Sequence, residues 1–288
     1  MAARDKTQIK IVVEKIRVEG RGAILLTGPS SCGKGEVAKS LSTFLSLGEQ
    51  QHVSMGDVLR RTIASAEEDD RFRGLLGERF GISSAISVFD REHNAPDLVD
   101  KADRYREDIP KFVNTVDGCT QFDWLKFCVQ RGLLIPDDWA EQIIDAHFAN
   151  TQSLRDGIFV LDGYPRTVVA ADRLLKTFEE LDIGVLKVIH LSITKEQMKR
   201  RAGGRGREDD TDSALESRYQ FYVEHVQPCI DYLKTKMGPD RVRLVDAHQP
   251  VFRADGRMNL ERSIRAVTVS VLEALGLPQY LLDLDGRK

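Results

Sequence analysis

The residues most able to do chemistry are cations set beside glycines. Gly28-Pro29-Ser30-Ser31-Cys32-Gly33-Lys34-Gly35 has the spacing G-x-x-x-x-G-K. In that pattern successive backbone N–H groups cradle a phosphate and the lysine brings it a mobile positive charge. Farther along stand Arg60, Arg166, Arg201, Arg205, Arg207 and Arg218, and planar guanidinium forks match phosphate oxygens better than an ammonium does. Asp162 closes the apolar run Ile158 to Leu161, a place from which a carboxylate can hold Mg²⁺ through water. A polyphosphate ligand brings several negative charges into one cleft, so many cations must converge there. A phosphate acceptor is already ionised near neutral pH. Transfer to it needs no general base, only positioning and charge stabilisation. Read singly, each arginine is an ordinary surface residue and Asp162 a turn or capping aspartate. His52, His93, His147, His190, His225 and His248 fall in none of these patterns, and are expected to be core or surface residues.

These groups need elements that hold them. Ala23 to Thr27 is a short apolar run ending at Gly28, followed by Val37, Ala38, Leu41, Phe44 and Leu45 at helical spacing; the order is strand, glycine loop, helix. Similar runs recur at Gly157 to Leu161, Val185 to Leu191 and Val242 to Val245, separated by helical periodicity or turn signals. A mostly parallel sheet flanked by helices follows. Helices are predicted over 137–149, 168–181, 194–202 and 260–275. Another runs from Ser213 onward, where Leu215, Tyr219, Tyr222, Val226, Ile230 and Leu233 share a face behind an N-cap at Asp212. Residues 61–130 differ. Their short apolar clusters (Phe72, Leu75, Leu76; Leu98, Ala102, Tyr105; Phe122, Leu125, Val129) predict separate small helices, with a mobile break at Asn94-Ala95-Pro96.

Composition narrows the partners. The 288-residue chain can bury a full core, and its net charge of -3 and pI near 6.1 lack the cationic excess of a nucleic-acid or anionic-membrane surface. Cys32, Cys119, Cys128 and Cys229 form no C-x-x-C pair and no Cys/His metal spacing. A reducing, cytoplasmic compartment is expected, with no export leader, no bilayer-spanning run and a plausible monomer.

The glycine loop followed by Ser54-Met55-Gly56-Asp57-Val58-Leu59-Arg60 resembles the adenylate kinase family. So do Gly132-Leu133-Leu134-Ile135-Pro136-Asp137-Asp138 and Asp162-Gly163-Tyr164-Pro165-Arg166. Arg201 and Arg205 at i, i+4, then Arg207-Glu208-Asp209-Asp210 with Arg218 beyond, complete the ordered series over residues 22–250. The resemblance implies an α/β P-loop three-layer fold with a five-stranded parallel sheet, divided into a kinase core at 1–60 and 131–288, an inserted helical acceptor-side subdomain at 61–130 and a short lid at 201–212. It implies ATP as donor, Mg²⁺ held by Asp162, small nucleotides as partners, and a nucleoside monophosphate as acceptor. Gly28, Ser30, Ser31, Cys32, Gly33, Lys34, Gly35, Glu36, Arg201 and Gln249 then form the donor site, and Met55, Gly56, Arg60, Ile135, Gly163, Arg166 and Ala170 the acceptor site. Lys34, Arg166, Arg205, Arg207 and Arg218 carry the transfer. Three positions depart from the family. Met55 and Ala170 replace a threonine and a glutamine that read adenine, and Gly35-Glu36 replaces the hydroxyl residue that usually meets Mg²⁺, so Glu36 puts a carboxylate beside the donor phosphates. These departures favour a different or modified nucleotide or another small phosphorylated metabolite, or a nucleotide sensor that does not turn over.

Overall fold

Strand β1 (Gly22–Thr27) is buried along its whole length and alternates its side chains between two apolar clusters, Ala23 and Leu25 on one face, Ile24 and Leu26 on the other. It is the centre of a five-stranded sheet in a computed structural model that describes residues 20–113, 118–205 and 212–277. Helix α1 (Lys34–Phe44) leaves the glycine loop and lays Val37, Ala38 and Leu41 on the Ile24 face. The chain then forms the short strand β2 (His52–Ser54).

A helical stretch follows: α2 (Met55–Glu68), α3 (Asp70–Phe80), α4 (Pro96–Asp103), α5 (Ile109–Phe112), α6 (Gln121–Arg131), α7 (Asp137–Asn150) and α8 (Gln152–Asp156). The return to the sheet is β3 (Ile158–Asp162), α9 (Val168–Glu180), β4 (Val185–Ser192), α10 (Lys195–Arg205), α11 (Asp212–Phe221), α12 (Gln227–Met237), β5 (Val242–Asp246) and α13 (Leu260–Ala274). The order across the sheet is β2-β3-β1-β4-β5, and every pairing is parallel. The chain leaves β1 towards one edge and β3 towards the other, so the crevice where ligands of such folds bind opens between Gly28 and Asp162. The carbonyl of Leu26 accepts from the Gly163 N–H at 3.3 Å across that crevice.

The fifth strand was not readable as a run, because β2 has three residues and buries only Val53. The small helices predicted in 61–130 are present, and their buried side chains (Leu76, Leu98, Ala102, Phe122, Trp124) belong to the same apolar cluster as Ala23, Leu25 and Phe159 of the sheet. Helix α2 runs through residue 60 without a break. The mobile break expected at Asn94 is instead a built joint. The buried Asn94 donates to the carbonyls of Ser87 at 2.8 Å and Asp90 at 2.7 Å, and accepts from Gln121 Nε2 at 2.7 Å. Pro96 begins α4, where its missing N–H costs nothing.

The helix predicted from Ser213 starts at Asp212, which lies in the first turn of α11 rather than before it. It is also interrupted, by a π turn over Tyr222–Val226. Pro228 explains the interruption: it has no N–H for the carbonyl of Glu224, and the wider turn relieves its ring. Leu215, Tyr222, Val226 and Leu233 stay buried on one side across the junction.

Candidate active site

The glycine loop is shaped by its backbone. Gly28 has φ +146° and lies so close to β4 that a Cβ there would sit 2.4 Å from the carbonyl oxygen of Leu191. Gly33, at φ +90°, turns the chain into α1, whose N-terminus points its unpaired N–H groups into the loop. Between them Ser31 is held at φ 58°, and its Oγ is buried with no hydrogen-bond partner. Lys34 Nζ donates to the carbonyls of Gly28 and Pro29, both at 2.9 Å, and lies 3.7 Å from Cys32 Sγ. The ammonium therefore stands at the mouth of the loop, where a phosphate would replace those carbonyls.

Three predicted cations meet here. Lys34, Arg166 and Arg218 line one cavity of about 70 Å³ together with Gly28, Ser30, Gly163 and Tyr222. Arg166 is steered by a bond from its Nε to the Gly163 carbonyl at 2.8 Å. Arg218 comes from α11, the element that faces the loop from across the crevice. A fourth, Arg201, is pinned on the other side of the loop by bonds from its two terminal nitrogens to the carbonyls of Cys32 at 3.0 Å and Ala247 at 2.7 Å. It forms a flat guanidinium floor under Gly33.

Asp162 ends β3 with its carboxylate directed at the start of α1: a Cβ on Gly35 would lie 3.8 Å from its Oδ2. Its Oδ1 is buried and has no hydrogen-bond partner. Burial pushes the carboxyl above its ordinary pKa, against the pull of Lys34, His52 and Arg166. An orphaned carboxylate oxygen beside a phosphate loop fits a hydrated divalent cation, whose charge would keep the acid ionised. Glu36 takes no part in this. Its side chain is 60% exposed and lies 3.6 Å from Lys39 Nζ, out on the first turn of α1, where a carboxylate is favoured by the helix dipole.

Of the residues predicted for the acceptor side, Gly163 and Arg166 line this cavity, whereas Met55, Gly56, Arg60, Ile135 and Ala170 do not. Arg60 is exposed on α2 and pairs with Asp57 at 2.5 Å, its guanidinium next to Gly56; that partner and Ser54 hold the Asp57 carboxyl below its ordinary pKa despite some burial. Met55, Ile135 and Ala170 are buried in the main apolar cluster. The Ala170 N–H is taken by Thr167 Oγ1 at 3.1 Å, and Thr167 in turn donates to Asp137. Gln249 donates to the Asp246 carbonyl and Ser270 Oγ, which places it against α13. Arg205 ends α10. Arg207 and the lid residues 206–211 lie outside the described residues.

The structure adds residues that spacing did not single out. Thr27, Pro29, Pro165, Phe221, Tyr222 and Val226 complete the cavity wall. Behind it His190, read from sequence as an ordinary residue, is buried between Thr27 and Tyr222. No sequence signal pointed to it; in the structure, the β1–β4 register sets Thr27 beside His190.

An all-parallel sheet with a glycine loop leaving its central strand, a lysine at the loop mouth and a carboxylate on the neighbouring strand defines a P-loop α/β protein. Residues 114–238 match the family model described as adenylate kinase. The adenylate kinase of Mycobacterium tuberculosis (strain ATCC 25177 / H37Ra) is 26% identical over 224 residues, 78% of this chain and 90% of that protein. That of Corynebacterium urealyticum is 25% identical over 214 residues, 74% and 87% respectively. Among solved structures, a gluconokinase from Sinorhizobium meliloti 1021 is similar at 15% identity with a TM-score of 0.38, covering 88% of this chain and 95% of that one. Within the P-loop class the chain is similar to adenylate kinases, at 25–26% identity over most of its length.

Proposed function

We propose that the protein is a nucleoside monophosphate kinase that moves the γ-phosphoryl group of ATP to the phosphate of a nucleotide acceptor, giving two diphosphates. An acceptor phosphate oxygen forms the new bond to the γ-phosphorus as the bridging bond to the β-phosphate breaks, and ADP leaves. The observation that carries this reading is the meeting of Lys34, Arg166 and Arg218 around one cavity at the glycine loop. Cations so arranged are aimed at the charge that shifts during transfer, which is where a phosphotransferase concentrates its catalysis. Lys34 holds the donor phosphates, and Arg166 orients the acceptor with help from Arg60 on α2. Arg218 neutralises the group in flight, joined by Arg205 and Arg207 of the lid. Arg201 supports the donor base. Mg²⁺, bound by Asp162 through water, would supply further positive charge to the donor phosphates.

A second reading changes only the acceptor. The side chains of Met55 and Ala170 offer an acceptor base no amide or hydroxyl, and both are buried in the core. A site without polar groups at those positions has lost its means of selecting adenine, which favours another or a modified nucleotide. Diphosphate formation from MgATP, followed across AMP, GMP, CMP, UMP, dTMP and their deoxy forms against an acceptor-free control, tests both. Turnover with one nucleotide names the acceptor; turnover with AMP at the highest kcat/KM removes the second reading. No turnover with any of them, in a protein that binds ATP, removes the first.

A further inference from the structure

His190 lies on β4 and is 5% exposed. Its Nδ1 is 2.8 Å from Thr27 Oγ1 and its Nε2 is 2.9 Å from the Tyr222 hydroxyl. The imidazole and phenol rings are almost parallel, at 6°. Thr27 is the last residue of β1, bonded through one peptide to Gly28, whose carbonyl holds Lys34. Tyr222 opens the π turn, one helical turn beyond Arg218. Thr27 and Tyr222 both face the cavity that Lys34 and Arg218 line, whereas His190 stands behind them and does not line it.

From this geometry we infer that His190 is a positioning residue, which fixes the distance between the lysine loop and the arginine-bearing helix by bridging Thr27 to Tyr222. The inference rests on the phosphoryl-transfer reading of the site. A π turn is a loose place in a helix, one where the rod formed by α11 and α12 can bend. Arg218 acts on the transferring group only if that rod is held at a set distance from β1. An apolar side chain of similar size in place of His190 would pack without the cost of burying polar groups. A chain of directional hydrogen bonds does what packing cannot, since it admits one arrangement of three partners. Burial and the Lys34 charge hold the imidazole pKa down to about 4, so the ring is neutral, with one nitrogen donating and the other accepting. The two hydroxyls are thereby ordered into one direction.

The test is a double-mutant cycle of His190→Phe with Arg218→Ala, read as kcat and KM at well below the melting temperature of each variant. Arg218→Ala alone is expected to lower kcat about 100-fold, and His190→Phe alone about 30-fold with KM for ATP within about threefold. The double variant is expected to be no worse than Arg218→Ala, because an arginine already displaced has little left to lose. Losses that multiply overturn the inference, as does a kcat for His190→Phe equal to wild type. Tyr222→Phe deletes one hydroxyl and keeps the ring, so it repeats the cycle should His190→Phe fold poorly. His190→Gln, whose amide can still reach Tyr222, should recover part of kcat. If the unmodified protein transfers to no nucleotide, the kinase reading fails by itself. The same cycle is then read on the MgATP dissociation constant, where coupling supports the bridge and additivity overturns it.

Discussion

The donor and acceptor sides proposed for the crevice are built from different materials. On the donor wall the functional groups are backbone amides, cations and one carboxylate, held by bonds to carbonyls of the sheet and its loops: Lys34 to Gly28 and Pro29, Arg201 to Cys32 and Ala247. On the proposed acceptor side the corresponding positions, Met55, Ile135 and Ala170, are apolar and buried in the same cluster as the core of the helical stretch. The polar order of that stretch lies away from them, in the Asn94 joint with Ser87, Asp90 and Gln121. If the proposed roles hold, phosphate handling and acceptor choice rest on separable physics. A donor wall made of fixed dipoles can be damaged chemically without being unfolded. An acceptor wall that shares the core can be damaged mainly by being unfolded or reshaped.

The strongest way to break this contrast is Lys34→Met. It is expected to lower kcat at least about 1000-fold while leaving the melting temperature within about 2 °C, since the proposed mechanism uses that charge in transfer and the substitution removes no packing. Equal turnover in variant and wild type would remove the donor wall from the mechanism. Asn94→Ala should do the converse. It strands two carbonyls and the Gln121 amide in a buried place, costing about 2–3 kcal/mol in urea unfolding, with the ATP dissociation constant unchanged within about twofold. A stability loss below about 0.5 kcal/mol would mean that the joint holds nothing.

Acid sharpens the contrast further. The folded-state pKa of His190 is depressed to about 4. Its contribution to stability is therefore present above the unfolded value near 6.5 and is lost as pH falls through about 4. Between pH 7 and pH 5 that loss is about 2 kcal/mol at a buried site, and His190→Phe should show an acid loss smaller by about this amount. Asp145 on α7 has the opposite sign. Its pKa is raised to about 6, mainly by burial, so its contribution is present at acid pH and lost as pH rises through about 6. Asp145→Asn should accordingly steepen the acid loss, and urea midpoints at the two pH values measure both. The smallest effect is expected at Glu36. Glu36→Ala removes an exposed carboxylate from the first turn of α1, costing about 0.5 kcal/mol of stability with little change in ATP affinity. A large gain in affinity would show that the carboxylate does face the donor phosphates.

How much of this was legible depended on whether the signal was contiguous. The glycine loop with Lys34, and Asp162 at the end of an apolar run, could be placed on a strand end from spacing alone, because their chemistry requires neighbours in sequence. Four of the five strands announced themselves as apolar runs. The fifth, β2, did not, since an edge strand of three residues with one buried side chain carries no period. Asn94 was misread because Asn followed by Ala-Pro has the composition of a break, whereas its partner Gln121 stands 27 residues away. His190 was invisible for a related reason. It sits inside an apolar strand, and its two partners are 163 and 32 residues distant in sequence. The π turn could have been anticipated from Pro228 inside a helical pattern. Which nucleotide the proposed acceptor side would admit is not written in any short motif, because apolar residues at Met55 and Ala170 exclude one mode of recognition without specifying another.

The most direct measurement follows the label of γ-³²P-ATP in a single turnover with the protein in excess, Mg²⁺ present and the nucleoside monophosphates supplied one at a time. The account predicts that the label appears in the β-position of one nucleoside diphosphate, faster than in inorganic phosphate, and in neither product with Lys34→Met. Label that stays on bound ATP with every acceptor, or passes only to inorganic phosphate, would contradict it.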